Sequence, residues 1–328
     1  MIQVNNLSKH FKIRKRKSGL LGSIQSLFTS EVETLKAVDD ISFNIGEGEL
    51  VGYIGQNGAG KSTTIKMLTG ILTPSNGEIF INGLSPYKDR KENAYQIGVV
   101  FGQRTQLWID LPVEESFDLL RSIYRIDEKV YKQKLELFND LLGLNEFFKQ
   151  QARKLSLGQR MKADLAASLL HSPRVLFLDE PTIGLDLLVK ERVREFIHKI
   201  NEEEKVTIIL TTHDIQDIEF LAKRIIIIDK GKIGYDGGIA DFNKLVGNEA
   251  SLNIHFQKPI KDLKLPKRFS IKEKFSDSHY SILMPENETM SKLLDYFQKN
   301  SYLVQEINRE KPDLGDAVKK MYAGKGEL

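Results

Sequence analysis

A glycine-rich run between an apolar segment and a helix-like segment constrains this chain more than any other feature. The run occupies residues 55–63, and its first eight residues have the pattern G-x-x-x-x-G-K-S. Residues 49–54 before it are short and apolar enough for a buried parallel strand. Residues 62–69 after it are helix-like, and Gly70 is placed to end that helix. The sequence therefore predicts a strand, a glycine loop and a helix in direct succession.

This succession predicts a phosphate-binding loop. Its glycines allow successive backbone N–H groups to face one point, toward which the positive end of the helix dipole is also directed. In such a loop Lys61 reaches the β- and γ-phosphates of a nucleotide, and the hydroxyl of Ser62 binds Mg²⁺. An ordinary glycine-rich turn is the alternative, which the full match disfavours. The expected nucleotide contacts are Gly55, Gln56, Asn57, Gly58, Ala59, Gly60, Lys61, Ser62 and Thr63.

The composition is that of a globular protein in a reducing compartment. Hydrophobic residues make up 41% and charged residues 28% of 328 residues, enough for one large domain and a smaller one. The chain has no cysteine, which excludes thiol nucleophiles and Cys-ligated zinc. A net charge of only +3 gives no reason to expect nucleic-acid binding. We expect neither a signal peptide nor a membrane span, so any membrane role would come through a partner.

Strands and helices are expected to alternate along most of the chain, which predicts a layered α/β domain. Further strands are predicted at residues 34–38, 41–45, 77–83, 97–101, 175–178, 206–210, 225–228 and 232–233, the last two as a hairpin around Gly231. Helices are predicted within 114–150, from Ser156, and at 186–204. In the tail we expect strands at 252–256, 280–284 and 301–307, and helices at 290–299 and 313–321.

Two acidic residues follow the buried strand predicted at residues 175–178. Asp179 and Glu180 lie at its carboxyl end, where ligands bind in open α/β sheets. Asp179 is suited to hold Mg²⁺ through water, and Glu180 to orient or deprotonate an attacking water. Two carboxylates that merely end a strand are the alternative, which the upstream phosphate loop disfavours.

Upstream of these carboxylates, residues 155–160 read Leu-Ser-Leu-Gly-Gln-Arg. With this run, residues 1–240 resemble the nucleotide-binding subunit of ATP-binding cassette (ABC) transporters, whose signature is Leu-Ser-Gly-Gly-Gln. Leu157 replaces the first glycine, which we interpret as a subfamily variant. The resemblance implies the fold of P-loop nucleotide hydrolases, with a helical signature subdomain at about 104–172. We assign residues 245–328 to a small C-terminal α+β appendix.

The resemblance also implies roles for residues outside the phosphate loop. His213 would contact the γ-phosphate, Gln103 would sense Mg²⁺ and the attacking water, and Phe11 would stack on adenine, with packing as its alternative. The implied catalytic residues are Lys61, Gln103, Glu180 and His213, and the implied Mg²⁺ ligands are Ser62, Gln103 and Asp179. The implied contacts with ATP of the opposite subunit are Ser156, Gly158, Gln159 and Asp186.

Because the signature and the phosphate loop lie on opposite sides of a composite site in this family, the resemblance implies a dimer. We expect a homodimer that closes on two Mg·ATP and drives a separate integral membrane permease, with no direct nucleic-acid contact. Trp108 and Leu111 would anchor the permease, with core packing of Trp108 as the alternative. The subunit would lie peripherally on the cytoplasmic face of the membrane.

Other interpretations stay open at this point. The single cassette with a short tail resembles bacterial multidrug- or lipid-type exporters, but soluble cassette ATPases acting on nucleic acid or the ribosome are an alternative, as is a noncatalytic regulatory module. The basic run at residues 12–17 and a predicted amphipathic helix at 20–28 would contact anionic lipid or form a solvated hairpin insertion.

Overall fold

The structure is a computed structural model that describes residues 1–14, 32–102, 104–246, 250–285, 288–310 and 314–323. The chain divides into two compact units, Met1–Gly238 and Ile239–Leu328. The end of the nucleotide-binding domain near residue 240 stays a prediction in functional terms. Most of the basic run and the helix predicted at residues 20–28 lie outside the described residues.

The first unit alternates strands and helices, as predicted. Its strands are β1 (Ile2–Arg14), β2 (Val32–Ile45), β3 (Leu50–Gly55), β4 (Asn76–Ile81), β5 (Ile97–Phe101), β6 (Val175–Asp179), β7 (Thr207–Thr211), β8 (Arg224–Asp229) and β9 (Lys232–Gly238). Its helices are α1 (Lys61–Leu68), α2 (Arg90–Ala94), α3 (Val113–Tyr124), α4 (Glu128–Leu142), α5 (Leu157–Leu169), α6 (Leu187–Glu204) and α7 (Ile215–Leu221), with 3₁₀ turns at Leu144–Glu146 and Ala152–Lys154.

Six described strands form the central sheet, in the order β5-β6-β7-β3-β8-β9. All pairings are parallel except that of β8 with β9, which form the predicted hairpin. The parallel strands are largely continuous apolar runs, as expected of a sheet that is covered on both faces, and Leu176, Phe177, Ile208 and Ile209 are fully buried. The parallel pairing brings the carboxyl ends of β3, β6 and β7 to the same edge of the sheet.

A second sheet in this unit has the order β2-β1-β4 and is antiparallel. Here the prediction of two separate strands at residues 34–38 and 41–45 is wrong, because β2 is continuous across them. Asp40 adopts a positive φ of 60° and Asn6 on β1 one of 47°, where the register of the two strands shifts. The polar pair Asp39-Asp40 therefore occupies a β-bulge and not a turn.

The helices α3, α4 and α5 form the predicted helical region, and a buried carboxylate ties it to the loop after β5. Asp164 on α5 is 4% exposed. Its Oδ1 accepts hydrogen bonds from Thr105 Oγ1 at 2.9 Å and from the Gln106 backbone N–H at 3.0 Å. Burial raises the pKa of Asp164 to about 6, although these hydrogen bonds act in the opposite direction.

The second unit is a four-stranded antiparallel sheet with helices. Its elements are α8 (Ile239–Leu245), β10 (Ala250–Phe256), β11 (Ser270–Ser276), β12 (His279–Met284), α9 (Met290–Lys299), β13 (Val304–Glu310) and α10 (Leu314–Ala323), with the strand order β11-β12-β10-β13. Phe256 packs against Phe297 of α9 with ring centroids 5.2 Å apart. The sequence predicted this α+β character but missed β11, because every residue of that strand is exposed, and it missed α8.

None of the helices in the described ranges combines the length and the apolar character that a bilayer crossing requires.

The Asp164 carboxyl predicts a specific pH dependence of stability. Between its unfolded pKa of 3.8 and its folded pKa of about 6, the folded protein binds more protons than the unfolded chain. The free energy of unfolding therefore falls as the pH rises through this window and is level above it. Replacing Asp164 with asparagine should remove this loss, so the variant should gain about 2–3 kcal/mol relative to wild type between pH 4 and pH 7.

Urea unfolding across this pH range measures the difference. Asp140 on α4 is exposed, so Asp140→Asn is the matched control and should change no part of the profile. If the free energies of unfolding of wild type and Asp164→Asn change with pH in the same way, the raised pKa of Asp164 is contradicted.

Candidate nucleotide-binding site

The predicted phosphate loop connects β3 to α1 and holds its lysine in place. Lys61 Nζ donates to the carbonyl oxygens of Gly55 at 2.7 Å and Gln56 at 3.2 Å, and the residue is only 7% exposed. Burial lowers the pKa of Lys61 below its usual value, while the nearby carboxylates of Glu180 and Asp179 act to raise it. The loop therefore presents a nearly buried cation in the immediate field of two acids.

Two glycines of the loop have backbone conformations that other residues rarely adopt. Gly58 has a φ of 83° and Gly60, directly before α1, one of 115°. They differ in their surroundings: a Cβ atom on Gly60 would lie 2.5 Å from the carbonyl oxygen of Ala37, whereas one on Gly58 would meet no atom within 4 Å. Gly60 is thus required both by its torsion angle and by the close approach of β2.

Oxygen donors for a divalent cation converge at the end of β6. Asp179 Oδ1 accepts a hydrogen bond from Thr211 Oγ1 at 2.5 Å and lies 3.5 Å from Ser62 Oγ. A carboxylate beside a hydroxyl, facing a phosphate loop, matches the oxygen ligands of Mg²⁺, which binds few protein groups and keeps waters and substrate phosphates as its other ligands. The residues present therefore fit the Mg²⁺ site that the sequence predicts, in which Ser62 and Asp179 would be protein ligands.

Glu180, which follows Asp179 in the chain, is in contact with His213. His213 Nδ1 lies 2.5 Å from Glu180 Oε2, and the imidazole keeps 60% of its surface exposed. Glu180 has a φ of 59°, and its backbone N–H donates to the Thr211 carbonyl oxygen at 2.9 Å. Such a strained torsion in a non-glycine residue is typical of functional sites. The two loops that carry the pair are thus joined by their backbones.

A cleft of about 630 Å³ unites these groups. Its lining includes Asn57, Ser62, Asp179, Glu180 and His213, five of the residues predicted from the sequence. Arg104, which the sequence analysis did not single out, also lines it. The structure therefore brings together the predicted phosphate loop, metal ligands and catalytic pair.

The signature residues have other contacts within the chain. Ser156 caps α5 through a reciprocal pair of hydrogen bonds: its Oγ accepts from the Gln159 N–H at 3.1 Å, and its own N–H donates to Gln159 Oε1 at 3.0 Å. A Cβ atom on Gly158 would lie 3.1 Å from Val189. Asp186 caps α6, accepting from the Val189 N–H at 3.0 Å. Among the described residues that line the cleft, none belongs to this group.

The variant residue of the signature also has a packing partner. The side chain of Leu157 comes within 3.0 Å of the position that a Cβ on Gly184 would occupy. Gly184 has a φ of 71° and lies in the loop between Glu180 and Asp186. Leu157 therefore fills the space that this glycine leaves.

Three further predictions have different outcomes. Phe11 is 37% exposed on β1, with Lys9 Nζ 5.4 Å from its ring centroid, so it is not a core residue; its adenine contact stays a prediction. Gln103 lies outside the described residues. Trp108 keeps 40% of its surface exposed beside Ile109 at 56%, which argues against its packing in the core.

The sequence did not predict the residues that hold the loops of Glu180 and His213 in place. Thr211 was not predicted, although its place at the end of a strand next to β6 is a signal that could have found it. Asp217 and Arg194 form a buried ion pair behind the cleft, at 2.5 Å between Arg194 Nη2 and Asp217 Oδ1. No sequence pattern marks that pair, because acidic and basic residues are common on surface helices.

Comparison with known proteins decides the family. The profile of the ABC transporter family matches residues 38–183. The ABC transporter ATP-binding protein NatA of Bacillus subtilis (strain 168) is 32% identical over 212 residues, which span 65% of this chain and 86% of NatA. The chain belongs to the ABC transporter ATP-binding proteins.

Other members of the family extend the comparison. The bacitracin transport ATP-binding protein BcrA of Bacillus licheniformis is 34% identical over 198 residues, 60% of this chain and 63% of that protein. The dimeric ATP-binding cassette MJ0796, solved in a post-hydrolysis state with ADP and phosphate, superposes with a TM-score of 0.60 at 27% identity, covering 73% of this chain and 98% of the cassette.

Membership confirms the predicted P-loop cassette fold and the prediction that this chain is an ATP-binding, ATP-hydrolysing protein. The roles of its individual site residues stay predictions.

The two loop glycines yield a paired prediction. Gly58→Ala should cost about 1 kcal/mol, the penalty of a positive φ alone. Gly60→Ala should cost about 2–3 kcal/mol, because the new methyl group also collides with the Ala37 carbonyl. Urea unfolding of the nucleotide-free protein measures both. Equal losses in the two variants would show that the approach of β2 to Gly60 does not constrain the loop.

Proposed function

We propose that this protein is the ATP-hydrolysing subunit of an exporter whose substrate passes through a separate membrane subunit. The observation that carries the proposal is the arrangement of Asp179 and the Glu180–His213 pair in one cleft, together with the charge interaction of Lys61 with Asp179 and Glu180. Each member has the residue type and position that phosphoryl transfer to water requires.

Catalysis would rest on positioning and charge, since the protein does little covalent chemistry in phosphoryl transfer. Lys61 binds the β- and γ-phosphates together with the N–H groups of residues 55–63. Glu180 orients the attacking water and accepts its proton. His213, already in contact with Glu180, fixes that carboxylate and contacts the γ-phosphate.

Mg²⁺ would be held by Ser62 and Asp179, with Gln103 as the further predicted ligand. The ion supplies charge neutralisation on the phosphates of bound ATP. Thr211 contributes by donating its hydroxyl hydrogen bond to Asp179 Oδ1, which orients the carboxylate.

The signature residues would serve a second copy of the chain. They do not line the cleft beside their own phosphate loop, and Ser156, which caps the N-terminus of α5, is exposed, so this helix end could receive a phosphate from outside the chain. In a dimer that closes on ATP, Ser156, Gly158, Gln159 and Asp186 of one subunit would face the nucleotide of the other. MJ0796, which this chain resembles, is a dimeric cassette.

The membrane subunit would dock near Trp108. Trp108 and Ile109 expose 40% and 56% of their surfaces in the segment that follows the cleft residue Arg104. Exposed aromatic and aliphatic side chains of this kind anchor interfaces. The protein would then lie on the cytoplasmic face of the membrane without entering it, and the basic run near residues 12–17 is suited to the anionic surface there.

The relative named for bacitracin transport supports the exporter assignment over nucleic-acid or ribosome-associated ATPases. The substrate is a property of the membrane subunit.

The first test concerns Glu180. Glu180→Gln keeps the size of the side chain but removes the proton acceptor, so ATP turnover should fall by ~100-fold or more while ATP binding is retained. Phosphate release and nucleotide titration measure the two effects, and light scattering should show accumulation of an ATP-bound dimer. The exposed Glu203→Gln on α6 is the control. An active, monomeric Glu180→Gln protein would refute the assigned role.

The second test concerns the partner. Tagged protein purified from gently solubilised native membranes should recover a polytopic membrane protein at stoichiometric yield. Trp108→Ser should reduce this recovery while ATP binding is unchanged, because Trp108 does not line the cleft. Recovery of ribosomes or nucleic acid from the soluble fraction would replace the exporter assignment with the soluble alternative.

A further inference from the structure

A buried carboxylate lies directly behind the Glu180–His213 pair. It belongs to Asp217 on α7 and is 0% exposed. A carboxylate at this depth needs charge compensation and hydrogen bonds to all its lone pairs. Its partners come from three separate stretches of the chain, and two of these stretches carry the proposed catalytic side chains.

Each oxygen of this carboxylate has a distinct set of partners. Oδ1 accepts from Arg194 Nε at 2.6 Å, which supplies the compensating charge from α6. Oδ2 accepts from the hydroxyls of both Thr182 and Thr212, the latter at 3.3 Å. Thr182 is two residues after Glu180, and Thr212 directly precedes His213. One oxygen atom therefore joins the two loops that present the catalytic pair.

We propose that Asp217 is a positioning residue for ATP hydrolysis, which sets the distance between Glu180 and His213 by binding both of their loops through Thr182 and Thr212. The inference rests on the proposed function, in which Glu180 and His213 act on the attacking water and the γ-phosphate. Asp217 itself touches neither the substrate nor the reacting atoms.

The residues around Asp217 hold its carboxylate in one position. Thr182 and Thr212 are 2% and 1% exposed, so water does not compete for their hydroxyls. Arg194 is held in turn by Asp214, whose Oδ2 lies 3.8 Å from Nη2 and accepts from Lys190 Nζ at 2.7 Å. A fully satisfied polar network in the interior fixes one arrangement of the groups that it joins.

The network acts on geometry and not on nucleotide affinity. Thr182, Thr212 and Asp217 are absent from the described lining of the cleft. Loss of either threonine hydrogen bond to Asp217 should therefore loosen the Glu180–His213 contact of 2.5 Å while the phosphate loop is unchanged. The expected signature is a lower kcat at a constant KM for ATP, since small displacements of positioned groups slow the chemical step.

Threonine-to-valine changes test this more cleanly than replacement of Asp217, which would leave Arg194 as a buried unpaired cation. In the full-length protein, Thr182→Val and Thr212→Val should each lower kcat by about tenfold with KM unchanged. Thr182→Ser keeps the hydroxyl and should restore turnover. The ring signals of His213 in ¹H–¹⁵N spectra of the nucleotide-free protein should shift in both valine variants.

Thr207→Val is the matched control. Thr207 is also fully buried and accepts a hydrogen bond from the Gly48 N–H at 2.9 Å, but it begins β7, at the strand end opposite Thr212. It should lose a comparable amount of stability without a change in kcat or in the His213 signals. If Thr182→Val and Thr212→Val behave like Thr207→Val, Asp217 has only a structural role.

Glu180→Gln separates this inference from the proposed function. Turnover that survives Glu180→Gln overturns the proposed function. If Glu180→Gln abolishes turnover but the threonine variants match the Thr207 control, the proposed function stands and the positioning role of Asp217 fails.

Discussion

The parallel register of β3, β6 and β7 is the constraint on which the candidate site depends. Thr211 at the end of β7 lies opposite Asp179 of β6 on one side and opposite Tyr53 of β3 on the other. A shift of this register by one residue would move Asp179 away from Ser62 and separate Glu180 from His213. Close packing opposes such a shift, because a one-residue slip turns every side chain to the other face of the sheet, and a Cβ atom at Gly52 of β3 would already lie 2.7 Å from the side chain of Ile218. The positions of the candidate site residues at the carboxyl ends of these strands therefore depend on the packing of the strands in the core.

The phosphate loop shows how the chain tolerates a cation in a nearly buried position. Lys61 is bound by two carbonyl oxygens of its own loop and lies in the field of two carboxylates, which offsets the cost of removing it from water. These contacts hold the side chain of Lys61 in one place, which would lower the ordering cost of the phosphate contact predicted for it. The buried carboxylate of Asp217 is compensated in a similar way. Arg194 neutralises its charge, and two threonine hydroxyls donate hydrogen bonds to it.

The parts of the fold that the sequence predicted are those where a local pattern has a local cause. The phosphate loop, β6 with its terminal carboxylates, and the helix that Ser156 caps all follow from short runs whose geometry is fixed by neighbouring residues. The strand β11 was missed because Glu273 lies between Ile271 and Phe275 on its one partly apolar face, which weakens the alternation on which strand prediction rests. Asp164, Arg194 and Asp217 could not be predicted, because their roles come from burial by elements that are distant in the sequence.

The neighbours of β3 also determine when the site forms during synthesis. This strand ends at Gly55, yet it pairs with β7 from Ile208 onward and with β8 through Ile228. A nascent chain that has not yet released these residues from the ribosome leaves β3 with both edges open, so the loop that follows it has no scaffold. Nucleotide therefore cannot stabilise the loop of a nascent chain until the strands through Ile228 have been made and have paired with β3.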